Sequence, residues 1–106
     1  MNMGDFGLGP IILECTLRDG SYAIDFQFTA QDTTRVAGAL DAMGFPLIEV
    51  GHGIGVEASE KGFGTAAETD EAYMVATAKA VSKGAWGMFC IPGIGELDHV
   101  AMLADN

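Results

Sequence analysis

At 106 residues the chain is long enough for one ordinary domain and too short for two. A hydrophobic content of 49% and a slightly positive mean hydropathy exclude a disordered tail. Fifteen acidic residues against 5 basic ones, a formal charge of −10, repel phosphate backbones and anionic membrane surfaces, so neither nucleic acid nor membrane is an expected partner.

Residues 1–9 contain three glycines and read as a flexible leader, with the domain proper over residues 10–106. No basic stretch followed by an apolar core opens the chain, and no apolar run approaches the ~20 residues of a membrane span. A cytoplasmic protein is expected. Ile11 through Thr16 is a short apolar run that suits a strand buried on both faces. Residues 29–43 read as a helix: Thr29 can cap it with Asp32 three residues on, Val36, Ala37, Leu40 and Met43 share a stripe, and Gly44 can end it. Leu47 through Val50 is a second apolar strand, and a glycine-containing loop follows to about Glu68. Thr69 caps a second helix with Asp70 and Glu71 in its first turn and Lys79 and Lys83 in its last, closed by Gly84. A third strand is expected from Trp86 to Ile91, then a Pro92-Gly93-Ile94-Gly95 turn and a third helix from about Leu97. Cys15 and Cys90 form no CxxC pair and read as free, buried, reduced thiols.

Strands spaced roughly 35–40 residues apart with helices between them are the signature of βαβ units in a parallel sheet. Sites in such folds lie at the carboxyl ends of strands. Here those ends carry Arg18-Asp19-Gly20, Gly51-His52-Gly53 and Pro92-Gly93-Ile94-Gly95, so one shared face is expected. The third helix is followed by no fourth strand. The chain is therefore expected to be part of a larger barrel, either cut short or completed by another chain, rather than a small α/β domain complete in itself.

Asp19 can bind a hard divalent cation through oxygen, and Arg18 can hydrogen-bond an oxyanion beside it. The competing reading is a β-hairpin, because Asp-Gly is a turn signal and residues 22–28 alternate like a strand. Glu49 sits in an otherwise apolar strand, where an ionised carboxylate needs a metal or an arginine. His52 is either a ligand or proton carrier or a structural histidine, and His99 reads as a surface residue. The loop glycines lack GxGxxG spacing and a following GKS/T, so nucleotide binding is not expected.

Glu14-Cys15-Thr16-Leu17-Arg18-Asp19-Gly20 resembles the strand-end motif of the HMG-CoA-lyase-like family, the DRE-TIM metallolyases. Further pieces in the same order are similar to those of 4-hydroxy-2-oxovalerate aldolases: Ala23-Ile24, Gln27 to Thr29, Ile48-Glu49-Val50, His52-Gly53, Gly62-Phe63-Gly64, Thr69-Asp70 and Pro92-Gly93-Ile94-Gly95. The resemblance implies an α/β fold, the N-terminal (β/α)3 portion of a TIM (β/α)8 barrel with parallel strands. It also implies a lyase or aldolase acting on a 2-oxo acid, with Mn²⁺ or Mg²⁺ held by Asp19, Arg18 stabilising an enolate, and Glu49 supporting the metal site. Homologous aldolases pair with an acylating aldehyde dehydrogenase.

Two departures stand out. Glu14 replaces the family's first Asp, and Tyr22 stands where the aldolases carry a catalytic His. A phenol is a poor base at neutral pH but can donate a proton. A related condensing or lyase reaction, or a degenerate barrel kept as a binding or scaffold subunit, are the alternatives. The family's H-x-H metal motif is absent from these residues, so the isolated chain is expected to be inactive, with the remaining ligands supplied by the rest of the barrel.

Overall fold

The computed structural model describes residues 10–105; the expected leader over residues 1–9 lies outside them. Three strands, β1 (Leu13–Glu14), β2 (Leu47–Val50) and β3 (Ala85–Met88), form a parallel sheet in the order β1-β2-β3. Leu13 pairs with Leu47, and Leu47 with Ala85, which fixes the register. Helices α1 (Ala30–Ala42) and α2 (Asp70–Ala80) connect the strands, and α3 (Leu97–Ala104) follows β3. The architecture is α/β with a three-stranded parallel sheet, consistent with the N-terminal part of a TIM barrel.

The helix–strand alternation puts the core between sheet and helices. Ile48 and Val50 on β2 are buried and cluster with Leu17, Ala37, Leu40 and Val81, with Trp86 and Met88 of β3 packed against them. Because side chains alternate across a strand, Glu49 projects from the opposite face. Its register partner there is Gly87, where an added Cβ would meet open space.

Helix α1 begins as its sequence directs: Thr29 and Asp32 form a reciprocal capping box, and Gly44 at φ 93° ends it. Met43 leaves the expected stripe and is 67% exposed, since the helix has ended by then. Helix α2 stops at Ala80, short of the expected Lys83 and Gly84. The cause is the Asp41 carboxylate at the end of α1. It accepts the N–H groups of Ser82, Lys83 and Gly84, which pulls residues 82–84 out of the helix. Gly84 serves this close approach, because a Cβ there would lie 2.8 Å from the Phe45 carbonyl oxygen.

Two strands are shorter than their apolar runs. β1 stops after Glu14, where the Cys15 carbonyl accepts the Asp19 N–H at 2.8 Å. Ile11, Ile12 and Leu13 are exposed, correcting the expectation of a strand buried on both faces. β3 pairs only as far as Val50 of β2 reaches. The thiols also differ from expectation: both are free, but Cys15 is half-buried and Cys90 exposed. Among the described residues, no helix is long and apolar enough to cross a membrane.

Candidate active site at the strand ends

The chain leaving β1 turns at once. Residues Asp19–Ile24 form a short 3₁₀ helix, closed by Ser21 Oγ–H donating to the Arg18 carbonyl at 2.6 Å. No hairpin forms over residues 22–28. Leu17 is buried in the core, and this anchor fixes the point from which Arg18 and Asp19 project.

Arg18 reaches across the ends of all three strands. Its Nε–H donates to Glu49 Oε1 at 2.8 Å, and Nη1–H donates to the Gly53 carbonyl at 3.2 Å. The guanidinium carbon lies 4.6 Å from the centroid of the Phe89 ring, a cation–π contact. Both members of the Arg18–Glu49 pair are largely withdrawn from water, at 17% and 15% exposure. Burial of this kind is sustained because each charge has its partner. Asp19 differs: its carboxylate is 65% exposed and stands 3.6 Å from Arg18 Nη1. An arginine carries five N–H donors. Among the described residues no acceptor engages those of Nη2. A guanidinium clamped in this way can still hydrogen-bond a small oxyanion through Nη2.

Tyr22 is half-exposed at the same mouth, its ring set edge-on to Phe26 at 5.1 Å. His52 is buried, with 2% exposure. Its Nε2 lies 2.8 Å from the Gly64 carbonyl, while Nδ1 accepts the Ile54 N–H at 3.0 Å. That pattern is complete for an imidazole carrying its proton on Nε2, and it leaves neither nitrogen facing the mouth.

A hard cation suits Asp19 as one oxygen donor. Among the described residues no three His, Cys, Asp or Glu side chains gather to hold a metal, so these residues alone do not make up a metal centre.

Sequence reasoning missed a second polar cluster on the helix side. His99, expected at the surface, is half-buried, and its Nε2 lies 3.2 Å from Asp70 Oδ2. Asp70 also accepts the N–H of Glu57 at 2.9 Å, a residue held at φ 64°. Lys61 joins Glu57 to Glu96 at the start of α3. An acid in the first turn of α2 was legible as a helix-dipole partner; its use as an anchor for another helix depends on long-range packing.

The HMGL-like family model matches residues 9–102. An oxaloacetate decarboxylase of Mycobacterium tuberculosis is 42% identical over 96 residues, covering 91% of this chain and 28% of that protein. A 4-hydroxy-2-oxovalerate aldolase of Moorella thermoacetica is 44% identical over 94 residues, covering 89% and 28%. One of the same name from Pelotomaculum thermopropionicum is 44% identical over 91 residues, covering 86% and 27%. The chain thus spans little more than a quarter of the length of these relatives. The match to the family model runs from before β1 into α3, with Arg18, Asp19 and Glu49 among the residues covered, and the chain belongs to the HMGL-like family.

Proposed function

We propose that the full-length protein is a divalent-metal-dependent lyase that breaks or forms a C–C bond next to a 2-oxo acid by way of an enolate. Two different names among the relatives support this reading. Decarboxylating oxaloacetate breaks C3–C4, releases CO₂ and leaves the electron pair as the enolate of pyruvate. Cleaving 4-hydroxy-2-oxovalerate breaks the corresponding bond: a base or water accepts the C4 hydroxyl proton, acetaldehyde is released, and the same enolate is left. A shared intermediate calls for a shared device, a fixed cation facing the enolate oxygen.

The observation that carries the reading is the Arg18 clamp, held on Nε by Glu49 and on Nη1 by Gly53, with Nη2 engaged by no acceptor among the described residues. In this reading Arg18 receives the charge developing on the enolate oxygen. Glu49 orients the guanidinium and balances its charge, at the cost of none of its free edge. Tyr22, half-exposed at the mouth, delivers the proton that converts enolate to product, and the phenolate so formed takes a methyl proton back in the reverse step. Asp19 would be one ligand of Mn²⁺ or Mg²⁺, which the described residues would not hold by themselves; when bound, such a cation would supply Lewis-acid polarisation of the 2-oxo group. An acylating aldehyde dehydrogenase is the partner that resemblance to the aldolases implies.

The test is cleavage of oxaloacetate and of 4-hydroxy-2-oxovalerate by the full-length protein, with Mn²⁺ or Mg²⁺ and after chelation. Pyruvate release from one of them, lost on chelation and in Asp19→Asn, is expected. A protein that binds a 2-oxo acid, turns over neither compound and is indifferent to Asp19→Asn would instead be a binding or scaffold subunit.

A further inference from the structure

The segment following the 3₁₀ turn is held in a conformation its side chains disfavour. Asp25 has φ 54° and Phe26 φ 65°, a region that bulky residues avoid unless surrounding contacts enforce it. For Phe26 those contacts are specific. Its ring stacks on the His52 imidazole with centroids 4.0 Å apart and planes at 24°. It also occupies the space above two glycines: an added Cβ would lie 2.9 Å from its Cε1 at Gly53 and 2.8 Å from its Cε2 at Gly64. The backbone is tied down on both sides, Phe26 N–H donating to Ser21 at 2.8 Å and the Phe26 carbonyl accepting from Ala67 at 3.1 Å.

His52 completes the arrangement. Its ring bonds to Ile54 and Gly64, and its carbonyl accepts the Gly55 N–H at 2.9 Å, so the loop after β2 is folded around the imidazole. Gly53 lies between these fixed points and presents its carbonyl to Arg18 Nη1. The Phe89 ring lies against the guanidinium and Glu49 bonds its Nε; the Gly53 carbonyl adds a second hydrogen bond at Nη1 that limits rotation about the first.

We propose that Phe26 and His52 act as one positioning unit, setting the Gly53 carbonyl and through it the direction in which the free edge of Arg18 faces, without either exchanging a proton with substrate. The proposal rests on the enolate reading for its consequence in catalysis, and on geometry alone for its effect on Arg18.

The test uses the full-length protein with His52→Gln, Phe26→Leu, Arg18→Lys and their pairwise combinations. It reads kcat/KM against pH for the 2-oxo acid that is cleaved, together with the Arg18 Nε–H signal in ¹⁵N-arginine NMR. Each of His52→Gln and Phe26→Leu is expected to lower kcat/KM roughly ten- to hundredfold, the size of a misplacement effect, with the limbs of the pH profile unmoved. The Phe26→Leu/His52→Gln pair falls no further than the worse single variant, and neither substitution costs more once Arg18 is Lys. The Arg18 signal shifts in Phe26→Leu, although Phe26 does not bond to Arg18. A His52→Gln enzyme that loses a limb of the pH profile while Phe26→Leu stays near wild type overturns the proposal in favour of a proton carrier. Additive losses with an unmoved Arg18 signal overturn it in favour of general stability. Should His52→Gln fail to fold, Phe26→Leu decides by the same two readouts. If the wild-type protein cleaves no 2-oxo acid, the enolate reading fails, and the positioning unit stands or falls on the Arg18 signal.

Discussion

Asp41 and Glu49 are carboxylates of the same small domain placed at opposite ends of its strands, and their partners differ in kind. Asp41 lies before the start of β3 and is 3% exposed. It is satisfied by the backbone N–H groups of Ser82, Lys83 and Gly84 and by the Ser82 hydroxyl. Those donors are fixed in the chain, and every acceptor site is spent on folding. The bonds, that of the Ser82 N–H foremost, hold the Asp41 carboxyl below the usual aspartate value. Glu49 faces the other end and bonds to a side chain, Arg18. The carboxylate at the amino end of the sheet is thus satisfied by backbone, while at the carboxyl end Arg18 keeps Nη2 donors that no acceptor among the described residues engages.

Substitutions should separate the two ends. The largest effect is expected from Arg18→Lys in the full-length protein: a compact ammonium cannot span Glu49, Gly53 and a ligand together. Turnover should fall roughly 10²–10³-fold, with little change in the urea midpoint; a lost midpoint with retained turnover would reverse the assignment of the two ends. Gly53→Ala should damage both, because its Cβ would lie 2.9 Å from atoms of Phe26, Ser21 and Tyr22. Overpacking of that kind costs about 1–3 kcal/mol, readable by denaturant titration beside a kinetic assay.

Asp41→Asn should do the reverse of Arg18→Lys, lowering the urea midpoint while kcat/KM at neutral pH is unchanged, since an amide NH₂ would oppose donors that need an acceptor. The pH dependence has a definite sign. A carboxyl whose folded pKa is depressed contributes stability above its unfolded value of 3.8. That contribution is lost as the pH falls from there through the folded value. Acid titrations of stability should therefore show a smaller drop below that pH in Asp41→Asn than in the wild type. The smallest effect belongs to Thr29→Ala, which removes the Thr29 side-chain half of the capping box and should cost about 1 kcal/mol with no kinetic consequence.

What could be read from the chain depended on the range of the interaction. The start of α1 at Thr29-x-x-Asp32 and its stop at Gly44 are local, and both appear where the residues place them. Helix α2 was overextended because its end is set by Asp41, about forty residues away in sequence. Glu49 was conspicuous as a lone charge in an apolar strand that calls for a metal or an arginine, and the structure pairs it with Arg18. His52 was ambiguous: nothing local foretold that Phe26 would accept a left-handed backbone in order to stack on it. His99 was misjudged for a similar reason, since its partner Asp70 lies on another helix. The alternation of residues 22–28 suggested a strand pattern, but the Asp19 and Gly20 N–H groups fold back onto Cys15 and start a helical turn instead.

Proton NMR of pyruvate in D₂O with the full-length protein and Mn²⁺ or Mg²⁺ addresses the strand-end cation most directly, because loss of the methyl signal reports enolate formation without any C–C bond being broken. Protein-dependent exchange is expected, slowed roughly hundredfold or more in Arg18→Lys. Exchange at the same rate in the wild type and Arg18→Lys, or none in the metal-loaded wild type, would contradict a guanidinium poised to hold an enolate.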